Sequence, residues 1–351
     1  MRLLIYEYCT ALGTSGDKAL ASLGFSMLAA VLSDFKKLPS LYITTIIHSS
    51  CRNLMTQFID DRIHVSWAGE GTEKCCSQDL YERVVAECDA VLVIAPETGG
   101  LLAKLIGIAE KKGKTVFGPT AKAAALVSNK GETTKLLASH GLPVPRSEIL
   151  SLPLHSLEKV TDHFSWPLVL KPVTGAGGQG VKVINNLDEL ERAVKQFEEA
   201  LDINACPRAE FRSIQVQDYI PGDYVSVSCF VSACRARPIS LNLQHIAHGK
   251  ELYFQGITIP YLHPQSMNVL DTAKRACELI EGLAGFVGVD LVLGPQGPVL
   301  IEINPRISVA YVALREVIAG NLAGDLWLTC IEKRLPPKPE FIKTYTYRLD
   351  N

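Results

Sequence analysis

The chain has 351 residues, too many for one ordinary hydrophobic core and enough for two or three modules. Hydrophobic residues make up 47% and charged residues 21%, the balance expected of a globular enzyme. Lys and Arg (35) nearly cancel Asp and Glu (37), so the formal charge is -2; nucleic acid is not expected as a partner, and phosphate affinity has to come from local placement.

Residues 1–9 (MRLLIYEYC) carry one basic residue, and Glu7 interrupts the apolar run, so this segment reads as a first strand and not as a secretory leader. No uninterrupted apolar run reaches the roughly 18 residues that a membrane span requires. The ten cysteines include no CxxC pair, which predicts reduced, buried thiols in a cytoplasmic protein and no structural zinc.

Residues 3–8 read as a strand, 20–35 as a helix and 41–47 as a strand rich in β-branched residues. Residues 79–88 read as a helix, 90–95 as a buried strand ending at Pro96-Glu97, 101–112 as a helix and 115–117 as a short strand. Strands alternating with helices predict a small doubly wound α/β domain over 1–119. Residues 122–140 read as one helix, closed by Gly141 with Pro143 and Pro145 beyond. A strand at 167–172, a glycine loop at 174–180, a strand at 181–184 and a helix at 187–201 form a second, α+β module over 120–212. Strands then dominate at 214–220, 225–233, 239–244, 288–293 and 299–303, with helices at 269–282 and after Ser308, in a third α+β module over 213–351.

Gly175, Gly177 and Gly180 match GxGxxG, with Gly178 in the same loop. The dinucleotide fingerprint of that spelling requires a helix after the loop. Here Val181-Lys-Val-Ile184 follows, and its β-branched residues favour a strand. A strand–loop–strand flap can lay backbone N–H groups over phosphates, and Lys171, four residues before Gly175, can add a point charge. A mobile hairpin with a surface lysine would share these features.

Asp290 lies in Gly288-Val-Asp-Leu-Val-Leu293, and Glu302 and Asn304 lie in Val299-Leu-Ile-Glu-Ile-Asn304. The intervening Gly294-Pro-Gln-Gly297 predicts a hairpin. Strand alternation puts Glu302 and Asn304 on one face, with Ile301 and Ile303 on the other, and a four-residue turn leaves Asp290 about one residue from direct opposition to Glu302. An all-oxygen trio suits Mg²⁺, with Mn²⁺ as a substitute. Arg306, just beyond, is placed to meet a γ-phosphate or a developing negative charge. Gln217-Asp218-Tyr219-Ile220-Pro221-Gly222 is a strand running into a bend, able to present backbone groups to an adenine edge.

In this order the motifs resemble the ATP-grasp superfamily over nearly the whole chain. Asn129-Lys130, with Leu136-Leu-Ala138 and Gly141-Leu-Pro-Val-Pro145, resembles the segment whose lysine reaches the nucleotide phosphates. Val169-Leu-Lys171-Pro172 and the glycine loop resemble the second lysine and its flap, and 217–222 resembles the adenine hinge. Asp290, Glu302 and Asn304 match the metal ligands, Arg306 the neighbouring arginine, and Asp223 stands near the ribose-binding acid. The resemblance implies a pre-ATP-grasp domain, a lid and a metal-bearing C-terminal subdomain. It also implies ATP with Mg²⁺, and a carboxylate activated as an acylphosphate and captured by an amine.

Residues 303–315 (INPRISVAYVALR) further resemble archaeal tyramine–glutamate ligases of methanofuran biosynthesis, as do Tyr6-Glu-Tyr8 and 27–35. Val309-Ala310 departs from that pattern and leaves the amine open. L-glutamate with a tyramine- or tyrosine-type amine is the implied substrate pair, and a homodimer is an expected assembly. A peptide or amino-acid ligase of another pathway and a non-catalytic nucleotide-binding regulator stand as alternatives; Glu97 and His245 are further candidates for substrate contact.

Overall fold

The strand β1 (Arg2–Glu7) is apolar at every position from Leu3 to Tyr6, as expected of a strand covered on both faces. Leu3 and Ile5 join one core with Leu28, Val31 and Phe35, while Leu4 and Tyr6 join another with Tyr81, Leu105 and Ile106. The computed structural model describes residues 1–13, 18–69, 77–152, 163–173, 175, 178, 180–203, 213–249 and 251–349. In it, β1 pairs with β2 (Tyr42–His48), β2 with β3 (Ile63–Ala68), β1 also with β4 (Ala90–Ile94), and β4 with β5 (Thr115–Val116), all parallel. The order β3-β2-β1-β4-β5 reverses direction between β1 and β4, the kind of point where open α/β sheets bind ligands at their carboxyl ends.

The second sheet is antiparallel, in the order β6-β9-β7-β8: β6 (Ser147–Ser151), β7 (Leu168–Pro172), β8 (Lys182–Ile184) and β9 (Ser213–Asp218). Its apolar face, with Leu168, Leu170, Ile214 and Val216, packs on Leu190, Val194 and Phe197 of the helix Leu187–Ile203. A strand therefore follows the glycine loop, as the β-branched run predicts, and the dinucleotide-binding alternative falls.

The third sheet holds β10 (Asp223–Ser232), β11 (Arg235–His248), β12 (Leu252–Ile259), β13 (Gly285–Gly294), β14 (Gly297–Asn304) and β15 (Tyr345–Arg348), in the order β14-β13-β10-β11-β12-β15. Val225, Val227, Leu241, Val289 and Ile303 turn one face onto the helix Ser266–Glu278 and onto Ala123, Val127 and Leu137. Phe230, Phe286 and Ile307 share a core with the first sheet, so the first and third sheets pack as one body.

The helix expected over 122–140 is two, Ala121–Ser128 and Lys130–Ser139. Asn129 is extended (φ -89°, ψ 96°), and its side chain accepts from the Glu132 N–H, capping the second helix. The local cap overrides the helical periodicity. β3, β6, β12, β15 and the helix Leu322–Cys330 were not read from the sequence. The seven described cysteines are free thiols; five are buried, and Cys234 is exposed. Among the described residues, no helix is long and apolar enough to cross a membrane.

Burial raises the pKa of Asp325, in the helix Leu322–Cys330, to about 6. A raised acid costs stability when ionised. The penalty is absent below about pH 4 and complete above about pH 6. Asp325→Asn is expected to stabilise the protein by about 1 kcal/mol at pH 8, a value discounted for partial exposure, with the gain shrinking towards pH 4. Urea unfolding at both ends of that window checks it, and an equal gain at both would contradict it.

Candidate active site

Alternation in the third sheet gathers the polar groups. Asp290 pairs with Glu302 on one side and Ser226 on the other, and Ser226 pairs with Asn242. One row further, Asn304 pairs with Gly288, and Gly288 with Ser228. Opposite residues of neighbouring strands project to the same face, so these rows form one polar wall. The direct opposition of Asp290 and Glu302 differs from the one-residue offset expected of the turn. Leu291 pairs with Leu300 and Asp290 with Glu302, so a bulge absorbs Ile301. The same bulge lets Leu300 and Ile303, three apart, share a core that does not include Ile301.

Asn304 Nδ2 donates to Asp290 Oδ2 at 2.9 Å, and Gln244 Nε2 donates to Asp290 Oδ1 at 3.1 Å. Burial, then the charge of Glu302, pushes the Asp290 carboxyl well above the usual range. Burial also works against charge on Glu302, but Lys130 and Lys171 outweigh it and hold that group at about 2. Two half-buried acids pressed together, with the Asn304 carboxamide beside them, form a donor set suited to Mg²⁺ when the carboxamide turns its oxygen inward. Among the described residues no group of three His, Cys, Asp or Glu could hold a metal ion; the set here is two carboxylates and one carboxamide.

Lys130 opens its helix beside the flap. Its Nζ lies 3.1 Å from Glu302 Oε2 and donates to the Gly175 carbonyl at 2.7 Å. The Asn129 break therefore aims this lysine, which a continuous helix would not. Lys171, on β7, is 3% exposed, and its Nζ has no hydrogen-bond partner. Burial, then repulsion from Lys130, lowers its pKa to about 7. A buried ammonium without a partner is unfavourable, and a phosphate oxygen would satisfy it.

Gln215 was not foreseen. It pairs with Lys171 across β7 and β9, is 0% exposed, and neither end of its carboxamide has a partner. Gln217, on the same face, has an unpartnered Oε1. The alternation Gln215-Val216-Gln217 carried this signal, as Ser226-Val227-Ser228 and Asn242-Leu243-Gln244 did for the polar wall. An unsatisfied buried amide costs about 1–3 kcal/mol. Gln215→Met should therefore raise the melting temperature of the free protein while weakening ATP binding about tenfold, measured by calorimetry. Unchanged affinity would remove Gln215 from the nucleotide site.

Beyond the hinge, Gly222 (φ 154°) runs against the β13–β14 turn, where a Cβ would stand 2.2 Å from the Leu293 carbonyl oxygen. Asp218 Oδ1 accepts from Arg146 at 3.1 Å, and exposed Asp223 accepts from the Tyr261 hydroxyl at 2.9 Å. Tyr219 and Ile220 are half-buried at the bend. Gly178 and Gly180 have positive φ, and the Gly180 N–H donates to Glu251 Oε2 at 3.1 Å, bringing the flap against the β11–β12 turn; Gly177 lies outside the described residues. His245 turns away from Gln244 and meets the Thr258 hydroxyl at 2.8 Å. Arg306 and Glu97 form a buried ion pair, with Arg306 Nε 2.8 Å from Glu97 Oε1.

Comparison with known proteins agrees with this fold. Residues 127–310 match the ATP-grasp domain and residues 69–124 the pre-ATP-grasp domain. The chain is 25% identical over 317 residues to the tyramine–L-glutamate ligase of Methanocaldococcus jannaschii, covering 89% of this chain and 84% of that protein. An ATP-grasp superfamily protein from Archaeoglobus fulgidus superposes with a TM-score of 0.70 at 24% identity, over 99% of this chain and 92% of that one. The biotin carboxylase domain of Hydrogenobacter thermophilus 2-oxoglutarate carboxylase, in complex with MgADP, gives 0.75 at 15% identity, over 98% and 73%. The ATP-grasp match spans more than half of the sequence: the chain belongs to the ATP-grasp family and is an ATP-dependent carboxylate–amine ligase.

Proposed function

We propose that the chain joins L-glutamate to a tyramine- or tyrosine-type amine, as a cytoplasmic enzyme of methanofuran-like cofactor biosynthesis. The observation that carries this reading is a contact. The two stretches that resemble tyramine–glutamate ligases, 27–35 and 303–315, meet where Arg315 Nε and Nη2 donate to Asp34 at 3.2 and 3.0 Å. The near full-length similarity to the M. jannaschii ligase supports it.

In this reading the γ-phosphoryl group passes to the glutamate carboxylate, ADP leaves, and the amine attacks the acylphosphate, forming the amide and releasing phosphate. Such transfers depend on positioning and charge neutralisation more than on a protein nucleophile. Lys130 and Lys171 hold phosphate oxygens. Gln217, Asp218, Tyr219 and Ile220 border the base, and Asp223 takes the ribose. Asp290, Glu302 and Asn304 would hold Mg²⁺, or Mn²⁺ in its place, which neutralises phosphate charge when bound. Arg306 stabilises charge developing at the transferred group. The flap with Gly175, Gly177, Gly178 and Gly180 keeps water from the acylphosphate. Residues 1–119, 120–212 and 213–351 form the three functional modules, and a homodimer is the proposed assembly.

The test is ADP release with Mg-ATP and L-glutamate across tyramine, tyrosine and furan-bearing amines. Stimulation by an aromatic amine is expected. No amine-dependent ADP formation with any of them would reject the assignment.

A further inference from the structure

Glu97 follows β4 at the carboxyl edge of the first sheet, on the strand next to the point where its order reverses. It is 4% exposed and faces Arg306, 209 residues away in sequence. Arg306 Nη2 donates to Glu97 Oε2 at 3.0 Å, and Nε lies 2.8 Å from Oε1, an off-axis charge contact rather than a linear hydrogen bond. Arg306 Nη1 donates to the Ile307 carbonyl at 3.2 Å, so both terminal guanidinium nitrogens are hydrogen-bonded.

The backbone around Glu97 is built to hold it there. The Gly100 N–H donates to the Glu97 carbonyl at 3.1 Å, closing a tight turn. Gly99 (φ 61°) and Gly100 (φ 70°) are consecutive left-handed residues, a conformation glycine adopts without the Cβ penalty. Arg306 in turn feels Glu302 and Asp290 as well as Glu97. Of these three acids only Glu97 lies within ion-pair distance of the guanidinium, so it is the partner that fixes Arg306 against the pull of the other two.

We infer that Glu97 is a positioning residue: the N-terminal domain supplies the carboxylate that holds Arg306 beside the Asp290–Glu302 pair, in register for the transferred phosphoryl group. This rests on the ligase reading above for its kinetic consequence but not for its geometric one. Misplacing a catalytic group by about 1 Å costs on the order of 10²-fold in rate. Glu97→Gln is therefore expected to lower kcat about 10²-fold with KM for ATP changed less than about threefold, and Glu97→Asp, which keeps the charge but shortens the reach, to fall between.

The second measurement needs no turnover. The Arg306 Nη2–H resonance in ¹⁵N-resolved spectra, assigned by its loss in Arg306→Lys, is expected to be protected from solvent exchange in the intact protein, where it donates to Glu97, and to exchange faster in Glu97→Gln. If that variant does not fold, Glu97→Asp carries the same readings at reduced amplitude. A wild-type kcat, an Nη2–H signal as protected in Glu97→Gln as in the intact protein, or ATP affinity and melting temperature falling in proportion to kcat would overturn the proposal. If no amine supports turnover in the unmodified protein, the ligase reading fails, and the resonance alone decides the role of Glu97.

Discussion

Replacing Glu302 by Gln is expected to lower ADP formation by at least about 10³-fold, close to 4 kcal/mol in the barrier, while the protein stays folded. Glu302 lies opposite Asp290 and meets the Lys130 ammonium, so its charge is shared between the proposed metal position and a lysine proposed to bind phosphate. The amide keeps the shape but removes that charge. Loss of an ion-pair partner usually destabilises, and here two features soften it. Lys130 keeps its bond to the Gly175 carbonyl, and removing a carboxylate relieves the repulsion that raises Asp290. A steady-state assay at saturating Mg-ATP with a thermal melt checks both halves. Turnover within tenfold of the unmodified protein would place the metal elsewhere.

Nucleotide binding at pH 8 should take up close to one proton, and Lys171 should be its source of demand. The group sits at about 7 in the free protein, so at pH 8 most molecules carry it neutral. A phosphate beside it favours the charged form and draws a proton from buffer. Calorimetry in buffers of different ionisation heat reads this directly. Lys171→Met should abolish the uptake and weaken ATP about 10²-fold; uptake that persists in that variant would assign the proton to another group. The same depressed pKa fixes a stability trend for the free protein. Between pH 7 and about 10 the unfolded chain binds more protons at this site than the native one, so this contribution to stability rises with pH.

The residues of the proposed ATP site could be singled out in the sequence because they lie in local motifs. Asp290, Glu302 and Asn304 lie on one predicted hairpin, and Lys171 precedes its own glycine loop. The β-branched run after Gly180 was enough to exclude a dinucleotide fold, since strand and helix differ in short-range preference. Readings failed where a neighbour decided. Asn129 reads as one more residue of an amphipathic helix, and only its cap on Glu132 N–H shows the break that aims Lys130. Gln215 reads as a polar residue in a strand, and only its burial opposite Lys171 shows that it lacks a partner. Short or edge strands such as β6 and β15 carry too few residues for period-two alternation to stand out.

By itself the sequence determined the α/β beginning, the strand-rich end, and the residue types able to hold a magnesium-bound triphosphate. Spacing and alternation along one strand suffice for these, because each is a property of neighbouring residues. The tertiary structure alone decided which distant groups meet. Glu97 reaches Arg306 across 209 residues, Arg315 reaches Asp34 across 281, and a bulge at Ile301 brings Glu302 opposite Asp290. Such contacts follow from sheet order, register and packing of modules, which depend on the free energy of the whole chain and leave no periodic trace in the local sequence.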